Sequence, residues 1–196
     1  MRRQPVTFTF VMRLNPVNLK RHLTALGAAL LLCGAVNAQS DDSELLQRLQ
    51  EAAPEEVANL QRDVERSWAT SGSAAMDLLL KRGRDALAVG EFATAIDHLT
   101  ALTDHAPDFA EGYHARATAY FQADLYGPAL DDLETALALN PDNYNAVFGL
   151  GVILLEFGDT RRAAELFRKV IVLNPHHENA ATALEALKRD GIGRTL

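Results

Sequence analysis

Glu111 and His114 are the residues whose types and spacing best suit chemistry. They lie three positions apart in the stretch FAEGYHARA, and residues at that spacing share one face of an α-helix and can interact. A carboxylate beside an imidazole can orient a general base, so an enzyme, or an enzyme subunit, using this pair is one hypothesis. We assign no catalytic residue from it, because the chain has no glycine-rich phosphate loop and no serine nucleophile motif.

The other histidines and the acidic runs predict neither a metal site nor a cofactor site. His176 and His177 are adjacent and point to different sides of a helix start, while His98 and His105 lie two helical turns apart. Neither pair has the spacing of a metal-binding motif. The acidic run at 131–134 is interpreted as a solvated helix face. We therefore expect no cofactor and no metal.

Composition narrows the class of protein. The 196 residues are 48% hydrophobic and 23% charged, which is typical of a soluble globular domain with an appendage. The net charge of −7 argues against a nucleic-acid partner, which requires a basic surface. Cys33 is the only cysteine, so an intramolecular disulfide is excluded.

An internal repeat provides the elements that must position these side chains. Pro107, Pro141 and Pro175 are separated by 34 residues, and the spacing contains no insertion. Small residues recur at the same interval, as do large apolar ones. A fixed period of this length indicates a repeat architecture. The repeating positions are Gly83, Ala117 and Gly151; Ala95, Ala129 and Ala163; and Leu99, Leu133 and Phe167.

Each repeat unit is predicted to be a pair of amphipathic helices, because its apolar residues follow a three-and-four rhythm. The units are placed at about 76–109, 110–143 and 144–177. We expect each proline to begin a helix, where a missing N–H has no cost. The small residues are expected to face each other where the two helices of a unit cross, for example Gly151 against Ala163.

This pattern resembles the tetratricopeptide repeat (TPR) family, whose repeat has 34 residues with recurring Leu-Gly, Tyr, Ala, Phe and Pro positions. The tryptophan of the family pattern is missing from all three units, and Arg82 and Arg116 replace its leucine. The resemblance covers about residues 76–177. It implies an all-α fold, a right-handed α-solenoid of three 34-residue helix pairs, inside a TPR domain of residues 74–190.

The resemblance also implies a binding surface, because TPR proteins line their concave face with set positions of each unit. A protein or peptide partner would lie there, and we favour a non-catalytic adaptor of the cell envelope. TPR domains that hold a peptide carboxylate use Lys, Asn and Arg in a set pattern, and of these positions only Arg84 is basic. The predicted groove residues are Leu80, Arg84, Glu111, His114, Phe121, Gln122, Asn145, Phe148, Val152 and Leu155.

Two flanking regions complete the domain. Residues 178–190 continue the repeat phase and are predicted to be a capping helix, with a tail at 191–196. Residues 39–73 are predicted to be a helical arm and linker with an apolar stripe that includes Trp68. We expect the stripe to pack on the first repeat. A partner-binding arm or a homo-oligomer formed through it is the alternative.

The N-terminus predicts export. Residues 1–22 contain basic side chains and no acid, and LTALGAALLLCGAV follows at residues 23–36. That run is shorter than a bilayer span, and the small residues Val36 and Ala38 precede a polar start at Gln39. Residues 1–38 therefore read as a signal peptide cut after Ala38, giving a periplasmic or secreted protein without stable membrane insertion. An uncleaved anchor, a lipidated Cys33 and a start at Met12 are alternatives.

Overall fold

The computed structural model describes residues 42–189, and within that range every regular element is an α-helix. The predicted signal peptide and the tail lie outside the described residues. The helices are α1 (42–50), α2 (Pro54–Trp68), α3 (Ala74–Ala88), α4 (Phe92–His105), α5 (Ala110–Gln122), α6 (Tyr126–Leu139), α7 (Tyr144–Glu156), α8 (Thr160–Leu173) and α9 (Glu178–Arg189).

Helices α3 to α8 form three antiparallel pairs, each joined by a tight turn. The residue two positions after the end of the first helix of each pair has a positive φ: Gly90 at 78°, Asp124 at 59° and Gly158 at 76°. Glycine adopts this conformation freely, and aspartate is among the few other residues that do so. The first helices of successive pairs contact each other directly, α3 with α5 and α5 with α7. They therefore line the inner face of the stack.

The repeated prolines do not begin helices, contrary to the sequence-based expectation. Pro141 lies in the turn between α6 and α7, three residues before Tyr144. The Asn143 N–H donates to the Asn140 carbonyl at 3.3 Å, which closes a turn with Pro141 at its second position. Proline suits that position because its ring fixes φ. The equivalent bonds join Phe109 to Ala106 and His177 to Asn174, both at 3.1 Å.

Small and large residues meet where the helices of a pair cross. A Cβ added to Gly151 would lie 2.6 Å from Cε1 of Phe167, and one added to Gly83 would lie 2.5 Å from Cγ of Leu99. The nearest neighbour is therefore the large residue one turn beyond Ala163 or Ala95, rather than the alanine itself. The Phe167 and Leu99 side chains thus occupy the space that a side chain at Gly151 or Gly83 would need.

The N-terminal arm, α1 and α2, does not pack on the first repeat as expected. Its stripe of Leu60, Val64 and Trp68 joins one core with α7, α8 and α9 at the far end of the stack. The Trp68 ring lies 5.0 Å from the Tyr144 ring, centroid to centroid. The pattern could not show this partner, because Tyr144 is far away in sequence.

Polar contacts fix the arm in this position. The Gln50 side chain donates to the carbonyls of Val172 (3.2 Å) and Leu173 (3.4 Å) at the end of α8. Glu65 accepts from Asn145 Nδ2 at 3.1 Å, at the start of α7. The arm thus ties the start of the described chain to its C-terminal helices, and its apolar stripe is buried within the same molecule.

Helix α9 covers the last apolar face of the stack. Ala180 and Leu187 are buried against α8 and the arm, while Glu185 and Lys188 form an exposed ion pair. Among residues 42–189, no helix combines the length and apolar character needed to cross a bilayer.

Candidate functional site

An open cavity of about 400 Å³ lies on the inner face, between α5 and α7. Both helices contribute mostly short or apolar side chains to its walls, and Leu133 of α6 also lines it. Gly149 also lines the cavity, and a Cβ at this position would lie 3.5 Å from Cδ2 of Leu133, an ordinary contact distance. The lining residues are His114, Ala117, Thr118, Phe121, Gln122, Leu133, Asn145, Phe148, Gly149, Val152 and Ile153.

Six of the ten predicted groove residues meet at this cavity: His114, Phe121, Gln122, Asn145, Phe148 and Val152. Four predicted residues lie elsewhere. Leu80 is only 2% exposed within the core of the first pair, so it offers no groove surface. Leu155 packs against the core that the arm completes. Arg84 and Glu111 form an ion pair beside the cavity instead of lining it.

Aromatic rings continue from the cavity in two directions. Phe148 lies under His177, with ring centroids 4.8 Å apart, and also contacts Phe167 at 5.4 Å. On the other side, Phe121 packs edge-on against Tyr126 at 5.7 Å. Phe148 therefore lines the groove and also packs against the core, whereas Phe121 lines the groove and packs against Tyr126.

A buried carboxylate stands beside the cavity. Glu111 is 5% exposed and receives hydrogen bonds from three helical pairs. Arg84 of α3 donates to Oε1, His114 Nδ1 lies 3.0 Å from the same oxygen, and Asn143 Nδ2 donates to Oε2 at 3.2 Å. The Asn143 side chain also accepts from the Ala146 N–H at 3.0 Å, capping α7. The cluster therefore links three successive pairs through one side chain.

The ionised form of Glu111 is stabilised by these neighbours. Burial alone would raise its pKa, but the charges and hydrogen bonds of His114 and Arg84 outweigh burial and leave the pKa below its ordinary value of 4.5. The carboxylate thus remains charged and fully paired at neutral pH.

The proposed acid–base pair does meet, since Glu111 and His114 are in hydrogen-bond contact. Both oxygens of Glu111, however, are engaged by Arg84 and Asn143 as well. A carboxylate held in this way orients and tethers its neighbours more than it accepts protons. Glu111 therefore connects α5 to α3 through Arg84 and to the start of α7 through Asn143.

A second buried ion pair was missed by the sequence analysis. Asp132 was interpreted as part of a solvated face, but it is 6% exposed and accepts two bonds from Arg116, at 2.7 and 2.8 Å. Arg116 also donates to Thr103 at 2.7 Å and lies over the rings of Tyr113 and Tyr120. Arg116 replaces a leucine of the repeat pattern, and that departure was the available signal.

A wider cavity of about 750 Å³ separates α2 from the start of α7 and the turn before α9. Two carboxylates, Glu65 and Glu178, lie on its walls, and no lysine or arginine lines it. Asn145 lines both cavities. The arm therefore borders the end of the inner groove.

The comparisons with known proteins identify the family. The sequence profile of the tetratricopeptide repeat matches residues 80–127 and 114–178. This chain belongs to the TPR family. A TPR repeat-containing protein of Rhizobium etli is 25% identical over 156 residues, which cover 77% of this chain and 76% of the relative.

Solved TPR domains share the fold. The Sgt2 TPR domain from Aspergillus fumigatus has a TM-score of 0.57 and 28% identity, covering 60% of this chain and 80% of that domain. The second TPR domain of human RPAP3, solved with the HSP70 peptide SGPTIEEVD, has a TM-score of 0.52 and 26% identity over 55% of this chain and 90% of that domain. The TPR helical solenoid predicted from sequence is therefore confirmed.

Proposed function

We propose that this protein is a non-catalytic adaptor that binds a peptide or helix of a partner protein in the groove between α5 and α7. The observation that carries the proposal is the cavity of about 400 Å³, open on the inner face and lined mainly by apolar side chains. Ligand sites are typically concave and apolar, with a few polar groups that fix orientation. Gln122, Asn145 and His114 supply such groups here.

The size of the cavity favours a side chain as the anchoring group. A single aromatic or leucine side chain fits the space between Phe121, Phe148 and Val152, while Gln122 and Asn145 can bond to the backbone that carries it. Buried apolar or aromatic anchors dominate many protein interfaces. The similarity to a TPR domain solved with an HSP70 peptide supports a peptide as the partner class.

Export to the cell envelope is part of this proposal. It is supported by the sequence pattern of residues 1–38 alone: a basic region, a short apolar run and small residues before Gln39. Intact-mass measurement of the protein from its native cells tests it. We expect a mature chain that begins at Gln39, and a full-length chain would contradict export with cleavage.

Blocking the cavity tests the binding function. Thr118 lines the cavity and its hydroxyl bonds only to its own helix, to the His114 carbonyl at 3.1 Å. Thr118→Trp should fill the space without removing any contact between helices. Thr135 of α6 makes the same bond to the Asp131 carbonyl at 2.9 Å and does not line the cavity, so Thr135→Trp is the matched control.

Peptides selected on the purified wild-type protein from a random library provide the ligand. We expect them to share a bulky apolar residue and to bind Thr118→Trp at least about tenfold more weakly, since a lost anchor costs roughly 1.4 kcal/mol or more. Thr135→Trp should bind as the wild type does. If Thr118→Trp binds the peptides as tightly as Thr135→Trp does, the binding site lies outside this cavity.

A further inference from the structure

The donors around Glu111 would otherwise attract a ligand. Arg84, His114 and Asn143 come from three successive parts of the stack and converge on one carboxylate. His114 also lines the cavity, so the cluster forms part of the groove wall. Convergent charged and amide donors are the usual recognition elements for carboxylates. In this chain, the carboxylate they hold is the protein's own.

Arg84 is the group that could turn toward a ligand. Its side chain is 44% exposed, whereas the Glu111 side chain is 6% exposed. No lysine or arginine lines the cavity itself. While Glu111 holds Arg84, the groove wall therefore consists of apolar side chains, the amides of Gln122 and Asn145, and His114, which is itself in contact with Glu111. A carboxylate entering it would lose water and meet no lysine or arginine that is not already paired with Glu111, which makes its burial costly.

We propose that Glu111 determines the class of ligand: by occupying the donors of Arg84, His114 and Asn143, it makes the groove selective for uncharged apolar peptide segments and excludes acidic ones. This inference rests on the groove-binding function proposed above and names its substrate class. Glu111 acts here as a specificity residue that does not itself touch the ligand. Its removal should convert the groove to one that accepts carboxylates.

The experiment measures two peptides on four forms of the full-length protein. The acidic probe is fluorescein-labelled SGPTIEEVD, and the neutral probe is the same peptide with its acidic residues replaced by Gln or Asn and its C-terminus amidated. The proteins are wild type, Glu111→Ala, the double variant Glu111→Ala/Arg84→Ala, and Glu156→Gln. Glu156 is exposed at the end of α7, so its variant removes one negative charge without releasing any donor.

Glu111→Ala should bind the acidic probe about tenfold more tightly than wild type at low salt, because it gains a charge-assisted hydrogen bond. The double variant should bind the acidic probe no more tightly than wild type does, which would show that Arg84 causes the increase in affinity. Glu156→Gln should change binding less than twofold. Wild-type protein that binds the acidic probe as tightly as the neutral one, or Glu111→Ala without any gain, would overturn the proposal.

Two further measurements keep the result interpretable. Circular dichroism checks that each variant remains helical, and if Glu111→Ala unfolds, Glu111→Gln replaces it. That variant keeps an acceptor for Arg84 but removes the charge, so we expect a smaller gain of the same sign, and no gain overturns the proposal. The Thr118→Trp test is independent, because it can fail while Glu111→Ala still gains affinity for the acidic probe.

Discussion

Two buried arginine–carboxylate pairs in this molecule differ in what surrounds them. Arg116 and Asp132 are 15% and 8% exposed at their side chains, and Tyr113, Tyr120 and Thr103 enclose the arginine. In the other pair, Glu111 is equally buried, but its arginine partner Arg84 is 44% exposed. The arginine of the first pair is largely enclosed, whereas the arginine of the second pair is partly exposed to solvent.

One type of interaction can therefore serve two purposes in the same molecule. An enclosed pair holds helices together, because its charges are largely shielded from water and from ligands. In an open pair the arginine can leave its carboxylate, because its exposed guanidinium can be hydrated by water instead. The predictions below test whether closure, rather than the presence of a salt bridge, decides the energetic role.

Removing each carboxylate should separate the two pairs most strongly. Asp132→Ala leaves Arg116 charged and enclosed, so we expect a loss of about 3–5 kcal/mol in the free energy of unfolding. Glu111→Ala should cost less, about 1–3 kcal/mol, because Arg84 can turn to water while Asn143 loses a partner. Urea denaturation measures both, with Asp131→Ala, an exposed neighbour, as the control. Equal losses for the two pairs would break the comparison.

Replacing the whole closed pair should restore most of the lost stability. In Arg116→Met/Asp132→Leu no charge is stranded, and apolar side chains suit the surrounding tyrosines. Because such replacements are often neutral or stabilising, we expect the double variant to lie within about 2 kcal/mol of wild type. Thermal unfolding compares it with Asp132→Ala. A double variant as unstable as the single one would show that the pair specifies packing beyond its charges.

Acid should weaken the open pair. The neighbours of Glu111 lower its pKa below 4.5 in the folded protein, so the folded state binds fewer protons than the unfolded state. The resulting stability is fully present above pH 4.5 and is lost as pH falls through the folded pKa. Chemical denaturation of wild type and Glu111→Gln across this range should show the difference between them shrinking at low pH. A difference independent of pH would contradict the assignment.

The smallest effect is expected at the cap of α9, which sharpens the comparison with Asn143. His177 occupies the position equivalent to Asn143, and its Nδ1 accepts from the Ala180 N–H at 3.1 Å. Burial lowers the pKa of His177 below 6.5, so its stabilising contribution is present above pH 6.5 and is lost as pH falls. His177→Asn keeps a cap that does not titrate. Between pH 7 and 5, we expect the melting temperature of His177→Asn to fall less than that of the wild type. The difference between the two proteins should correspond to less than about 1 kcal/mol in the free energy of unfolding.

The fold could be predicted because its repeats reflect local physics. The turn at Pro141, the small residue at Gly151 and the large one at Phe167 each satisfy a requirement within about one repeat. Even so, the role of Pro141 was predicted wrongly, since a turn position and a first helical position both tolerate a missing N–H.

Contacts between distant segments could not be predicted in the same way. Trp68 and Tyr144 are both aromatic residues on apolar faces, and nothing in a period of 34 residues pairs them. Asp132 looked solvated because a helix pattern reports which face a residue is on, not whether an arginine on the neighbouring helix will cover it. Gly149 and Thr118 line the cavity, and the sequence pattern alone could not show that open space remains beside these small residues.

The contact between Gln50 and the end of α8 has a consequence for how the chain is made. Gln50 and Val172 are separated by 122 positions, so a chain synthesised from its N-terminus produces the arm long before its docking surface exists. A contact of such high sequence separation closes a long loop, and proteins rich in such contacts fold slowly. Among the described helices, α1 and α2 are therefore made before the helices they pack against, and Leu60, Val64 and Trp68 have no docking surface until α7 to α9 have been translated.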